Sequence, residues 1–304
     1  MKNKISEELF AYLPDLVKAA LNQRGNQIWD KLCEIRITAE KPVMIEAAGK
    51  LDFLKYDGRK IIAVRENVQK IVDSVTNGSM YSVNETIKNG FVTVRGGHRI
   101  GFCGTAVTDD SGVRHIKNIS SVCIRISHQV NGCALTLVNE LYINEHISDI
   151  LIASPPGGGK TTMLRDICRM LGNGICGFGP VKVGIADERN EIAAVYMGVA
   201  QNDIGTAAFV CDGYEKTSAI QMMLRSMTPD VIVTDEIGNE TDFKAIQNAK
   251  RSGVSVIASA HAYSFDDLCF KYSKEMLTKC FDKIILLKNK GQIDKIYRRE
   301  NHDY

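Results

Sequence analysis

Apolar and polar positions follow two different regimes along the chain. In the first, short alternating stretches dominate. Ile5, Leu9, Tyr12 and Leu13 share one face of a predicted helix over 5–13, and Val64, Val68, Ile71 and Val72 do the same over 64–72. Residues 35–37, 43–45 and 122–126 read as strands, and 90–94 with 99–102 as a hairpin around Gly96-Gly97. In the second regime the strands are short, continuous and apolar: 150–153, 183–186, 231–233 and 254–260. Such runs suit strands buried on both faces of a parallel sheet. A helical pattern opens at Thr162 and another at about Leu135, while 283–288 and 292–298 read as a closing hairpin around Asn289-Lys290-Gly291.

The switch between regimes divides the chain. Residues 1–127 form a smaller α+β domain, 128–134 a linker, and 135–304 an α/β domain with a mostly parallel sheet and right-handed crossovers. A length of 304 residues accommodates both.

The chemistry gathers where the apolar runs end. Ser154-Pro155-Pro156-Gly157-Gly158-Gly159-Lys160-Thr161 stands between a strand and a helix that begins with Thr162. That is the setting of a phosphate-binding P-loop. Glycines turn successive backbone N–H groups inward, the helix N-terminus faces the same anion, the lysine reaches the β- and γ-phosphates, and the threonine hydroxyl binds Mg²⁺. The motif's usual first glycine is Ser154 here. The run 231–234 ends on Asp235-Glu236, a pair suited to holding Mg²⁺ through water and to polarising an attacking water. The run 183–186 ends on Asp187-Glu188-Arg189, and 254–260 on His261. In an open parallel sheet the carboxyl ends of strands share one edge, so these groups converge. The expected ligands are therefore ATP and Mg²⁺.

Composition narrows the rest. A formal charge of +2 gives no argument for nucleic acid. No run approaches the roughly 18 apolar residues of a membrane span, and the acidic start lacks a signal peptide's apolar core. A cytoplasmic protein without a direct membrane span is expected. Nine cysteines, an odd number, include no Cys-x-x-Cys. Cys103, Cys123, Cys168 and Cys211 sit among apolar neighbours and are expected to be buried, reduced thiols.

P-loop, acidic box at Asp187-Glu188, Walker B carboxylate and histidine box at His261, in that order, resemble the ATPases of type II and type IV secretion, with their RecA-like core. Within that group the chain is similar to the stage III sporulation protein AA family of endospore-forming bacteria. The likeness is carried by Cys33-Glu34-Ile35-Arg36-Ile37, Gly96-Gly97-His98-Arg99, Asp187-Glu188-Arg189-Asn190-Glu191-Ile192-Ala193, Gln201-Asn202-Asp203, and Leu224-Arg225-Ser226-Met227 leading into Asp235-Glu236-Ile237-Gly238. The resemblance implies an ATP-hydrolysing motor in the mother-cell cytoplasm. It would be recruited to the inner face of a membrane, assembled as a homo-oligomer (a hexamer), and would energise membrane channel proteins of the sporulation complex. It assigns Glu236, Glu188, His261 and Arg225 to catalysis, and Thr161, Asp235 and Asp187 to the metal. It also brings in Arg95, Arg99 and Arg125, because secretion ATPases reach the nucleotide with arginines of the N-terminal domain. Two positions depart from the secretion ATPases: Ala186 stands where a Glu precedes the box Asp, and Asp235 where Gly is common. A non-hydrolysing nucleotide switch, a RecA-like nucleic-acid motor and a small-molecule kinase share parts of this pattern. Glu236 and His261 speak against the first, the lack of a basic, aromatic-interleaved groove against the second, and the lack of a lid and acceptor-binding insertion against the third.

Overall fold

The computed structural model describes residues 4–76, 91–109, 112–175 and 177–299. Gly90, the first residue of one predicted strand, and residues 1–3 lie outside them. The chain separates into two compact units, Met1–His128 and Gln129–Tyr304.

The first unit is built on a six-stranded antiparallel sheet. Its strands are β1 (Leu32–Thr38), β2 (Met44–Ala47), β3 (Lys50–Phe53), β4 (Phe91–Thr93), β5 (Arg99–Asp109) and β6 (Gly112–Arg125), in the order β3-β2-β1-β6-β5-β4. Among the described residues its helices are α1 (Lys4–Leu9), α2 (Asp15–Gln23) and α3 (Arg65–Thr76). The core joins Leu9, Leu13, Trp29, Ile35, Ile37, Val68, Ile71, Ile100 and Ile124. α1 stops at Leu9, four residues short of the expected helix. Pro14 disfavours helical angles at Leu13, and the chain restarts as α2 with Pro14 as its N-cap. Val64 is exposed and precedes α3, whose buried face is Val68, Ile71 and Val72. The β5–β6 hairpin is far longer than the two short strands expected. Its outer half pairs Thr105 with Lys117, Ala106 with Ile116 and Val107 with His115, so apolar residues stand singly there and no apolar run marks it.

His98, in the Gly-Gly-His-Arg segment, is fully buried. Its Nδ1 accepts the Ser127 N–H at 3.0 Å, which leaves the proton of the neutral ring on Nε2, 3.3 Å from Glu8 Oε2. Protonating Nδ1 would break the first bond, and burial pushes the pKa from 6.5 down to about 4. An unfolded chain therefore binds a proton below pH 6.5 that the folded chain takes up only near 4. The stabilisation is complete above pH 6.5 and is lost as pH falls toward 4, a loss on the order of 3 kcal/mol. Denaturant melts between pH 7.5 and 4.5 should show that slope in the wild type and a clearly smaller one in His98→Gln; equal slopes would contradict it.

The second unit holds a seven-stranded sheet. Its strands are β7 (Ile150–Ser154), β8 (Val183–Asp187), β9 (Ala208–Asp212), β10 (Val231–Thr234), β11 (Ser255–His261), β12 (Lys283–Leu287) and β13 (Ile293–Arg298). The order is β9-β8-β10-β11-β7-β12-β13, parallel throughout except for the antiparallel β12–β13 pair. Every residue of β8, β10 and β12 is buried. The helices are α4 (Lys160–Asn173), α5 (Lys216–Ser226), α6 (Glu240–Arg251), α7 (Phe265–Tyr272) and α8 (Lys274–Cys280). Separate apolar layers cover the two faces. One joins Met223, Phe243, Ile246 and Phe281, the other Leu137, Leu164, Ile167 and Leu171. The expected helix near Leu135 is a 3₁₀ helix, Cys133–Glu140, held to α4 by the Ala134 N–H to Asp166 Oδ2 bond at 2.8 Å. Among the described cysteines all are free. Cys168, Cys211 and Cys280 are buried and Cys123 half-buried, but Cys103 is exposed, because it falls on the sheet's outer face.

Candidate nucleotide site

The P-loop leaves β7 and enters α4 at Lys160. Gly157 and Gly159 take φ of +73° and +96°, angles that an L side chain resists. A Cβ on Gly159 would come within 2.8 Å of Gly291 N, whose N–H donates to Gly158 O at 2.8 Å. The β12–β13 turn thus props the loop from behind. A Cβ on Gly158 would lie 2.6 Å from the Cβ of Ser154. The serine that replaces the motif's first glycine fills this space, and its hydroxyl donates to Pro155 O at 2.8 Å.

Behind this loop Lys160 is buried. Its Nζ donates to Ser154 O at 3.1 Å, Ser154 Oγ and Pro155 O at 3.3 Å, and His261 Nδ1 at 2.8 Å. Burial draws the ammonium's pKa below the ordinary lysine value, with the charges of Glu236 and Glu191 opposing. His261 Nε2 faces Glu236 Oε1 at 3.5 Å, and Arg189 Nη1 donates to Glu236 Oε2 at 2.8 Å. A continuous polar chain, Lys160–His261–Glu236–Arg189, therefore joins the ends of β7, β11, β10 and β8.

A cavity of about 310 Å³ opens over this chain. Pro156, Gly157, Gly158, Gly159, Lys160, Thr161, Thr162, Asp235, Glu236 and His261 line it, together with Glu191 and Ser259, to which the sequence assigns no role in the site. Asp235 is buried and lines the cavity. Burial pushes its pKa up to about 7; the Asp187 charge adds to this and Lys216 opposes it. A buried carboxylate and the Thr161 hydroxyl, lining one cavity, make a donor set that fits a hard divalent cation. A cation there would also favour the ionised Asp235.

Asp187 and Arg225 depart from their expected places. Asp187 is fully buried and is not among the residues that line the cavity. Its oxygens accept the N–H groups of Glu191 (2.7 Å), Ile192 (3.1 and 3.2 Å) and Ala193 (2.8 Å), so it shapes the loop after β8 and is not placed as a metal ligand. Around the same loop, Arg165 donates to the carbonyls of Glu191 (2.8 Å) and Ile192 (2.9 Å), and Asn202 Nδ2 to Ile192 O (2.8 Å). The Asp-Glu-Arg-Asn-Glu-Ile segment and Asn202 are thereby explained as scaffold that brings Glu191 to the cavity. Arg225 is exposed in the last turn of α5, which runs back to the start of β10. That places it at the sheet edge opposite the P-loop, because α5 returns the chain across the sheet between two parallel strands. Glu188 is outside the cavity lining, half-exposed and 4.0 Å from Lys216 Nζ. In the other unit, the Arg99 guanidinium lies 4.6 Å over the Phe91 ring and Arg125 Nε is 3.8 Å from Glu34.

A strand–P-loop–helix unit, a histidine ending the adjacent strand and an acidic pair ending the strand beyond it are the arrangement of a RecA-like P-loop fold, preceded here by a smaller α+β domain. Solved structures agree on the fold. The Legionella pneumophila ATPase DotB matches with a TM-score of 0.58 and 15% identity over 91% of this chain and 78% of its own. The pilus retraction motor PilT with bound ADP matches with a TM-score of 0.60 and 16% identity over 88% and 77%. The family model "Sporulation stage III, protein AA" matches residues 3–302, and the chain belongs to that family. A relative from Bacillus subtilis (strain 168), stage III sporulation protein AA, is 38% identical over 300 residues, covering 97% of this chain and 96% of that protein. No described helix is long and apolar enough to cross a membrane.

Proposed function

We propose that the chain is an ATP-hydrolysing motor of the secretion-ATPase type that serves a membrane-associated assembly during endospore formation. The observation that carries this is the Lys160–His261–Glu236 chain across the mouth of the P-loop cavity. It links the P-loop lysine, through His261, to a carboxylate able to activate water. The family and the ATPase folds of DotB and PilT support the reading.

In this reading the N–H groups of the P-loop and Lys160 hold the β- and γ-phosphates. Thr161 and Asp235 would hold Mg²⁺, which would supply charge neutralisation to the bound phosphates. A phosphate oxygen competes with Ser154, Pro155 and His261 for Lys160. Glu236 orients the attacking water and takes its proton. Arg189 is already paired to Glu236. Further positive charge for the transition state comes from a neighbouring copy in a homo-oligomer, with Arg95, Arg99 and Arg125 as the candidates.

Titration with Mg·ADP and Mg·ATP tests the site. The wild type is expected to bind about one nucleotide per chain, and Lys160→Ala to lose at least about tenfold in affinity, as the loss of a buried charge-assisted contact implies. Equal affinity in the two proteins would contradict the assignment.

A further inference from the structure

Glu236 has a φ of +31°, inside the left-handed region that a branched or long side chain avoids. Such an angle persists only where surrounding contacts over-determine it. Three hydrogen bonds do so here. The Glu236 N–H donates to Ser259 Oγ at 3.0 Å, the Ile237 N–H donates to Ser259 O at 2.8 Å, and Lys216 Nζ donates to the Glu236 carbonyl at 2.7 Å. Only the last of these comes from outside β11.

Lys216 is the first residue of α5, and its side chain is 6% exposed. A cation in the first turn of a helix works against the helix dipole, and a buried lysine costs desolvation. Its neighbours account for its presence. Nζ is 3.7 Å from Asp242 Oδ2 and 4.0 Å from Glu188 Oε2. Asp242 also accepts the N–H of Gly238 at 2.8 Å and closes the capping box of α6. One ammonium thus spans the loop 235–242 from the end of β10 to the start of α6.

We propose that Lys216 is a positioning residue: it locks the Glu236 peptide in its left-handed conformation and so presents the Glu236 carboxylate to the mouth of the P-loop cavity. The inference rests on the reading of Glu236 as the water activator. It predicts that Lys216 acts on turnover and leaves nucleotide binding alone, because Lys216 is absent from the cavity lining.

The test compares wild type, Lys216→Met, Lys216→Ala, Lys216→Arg and Ser259→Ala in the full chain. Four quantities are read: melting midpoint, affinity for a fluorescent ADP analogue, phosphate release from Mg·ATP, and hydrogen exchange of the peptide spanning 231–240. Lys216→Met is expected to keep nucleotide affinity within about threefold, to lose turnover by about tenfold or more, and to exchange faster at the Glu236 and Ile237 amides. Lys216→Arg, which keeps a donor, recovers part of both. Ser259→Ala, which removes the other side-chain anchor of the Glu236 peptide, is expected to speed exchange there as well, and Lys216→Ala decides the matter if Lys216→Met does not fold. Wild-type turnover and protection in Lys216→Met would overturn the proposal. Should the wild type bind no nucleotide, the nucleotide reading falls, and the exchange rates alone decide whether Lys216 holds Glu236.

Discussion

Glu236→Gln is expected to retain nucleotide while its turnover falls by about 10²- to 10⁴-fold, the range a positioned general base contributes. The amide is the same size as the carboxylate, and the side chain is one-third exposed, so the fold tolerates the change. The amide oxygen still accepts from His261 or Arg189. What disappears is a group that can take a proton from water. Single-turnover phosphate release, read beside nucleotide affinity, separates the two effects. Turnover within about twofold of wild type would remove Glu236 from the mechanism.

Gly158→Ala is the second large expectation, and it tests why a serine stands at position 154. The new Cβ would meet the Ser154 Cβ at 2.6 Å, with the hydroxyl closer still. That is overpacking against a side chain anchored at its own Cβ, which costs about 1–3 kcal/mol and comes out here as a ten- to hundredfold loss of nucleotide affinity. Ser154→Gly alone should bind nearly normally, since it removes one of four contacts of Lys160. Ser154→Gly combined with Gly158→Ala should recover most of the lost affinity. The remaining neighbour, Pro155 O, is then 3.1 Å away, a contact that a small shift relieves. Wild-type affinity in Gly158→Ala, or no recovery in the double variant, would show that the two positions do not share this space.

The parts of the site legible in the sequence were those whose chemistry follows directly on a buried strand. Lys160, Asp235, Glu236 and His261 each come just after an apolar run, and parallel pairing brings such ends to one edge. Side-chain direction was not legible. Asp187 occupies the same kind of position, yet its carboxylate finds three backbone N–H groups of its own loop and turns inward. Arg225 was marked by its neighbours in sequence, but only the length and path of α5 determine which edge it reaches. Ser259 and Lys216 act through backbone atoms of other elements, and no spacing in the sequence encodes that. In the first unit, the period-3.6 and period-2 patterns found the sheet's inner strands and α3. They missed the outer half of the β5–β6 hairpin, where single apolar residues such as Val107 and Ile116 stand among polar ones and form no run.

Steady-state phosphate release from Mg·ATP across a wide range of protein concentration, with Lys160→Ala alongside, tests the central claim most directly. A motor whose sites are completed between copies gives specific activity that rises with protein concentration, because dilution dissolves the interface, and Lys160→Ala abolishes it. Release that is absent at every concentration, or equal in Lys160→Ala, would contradict the account.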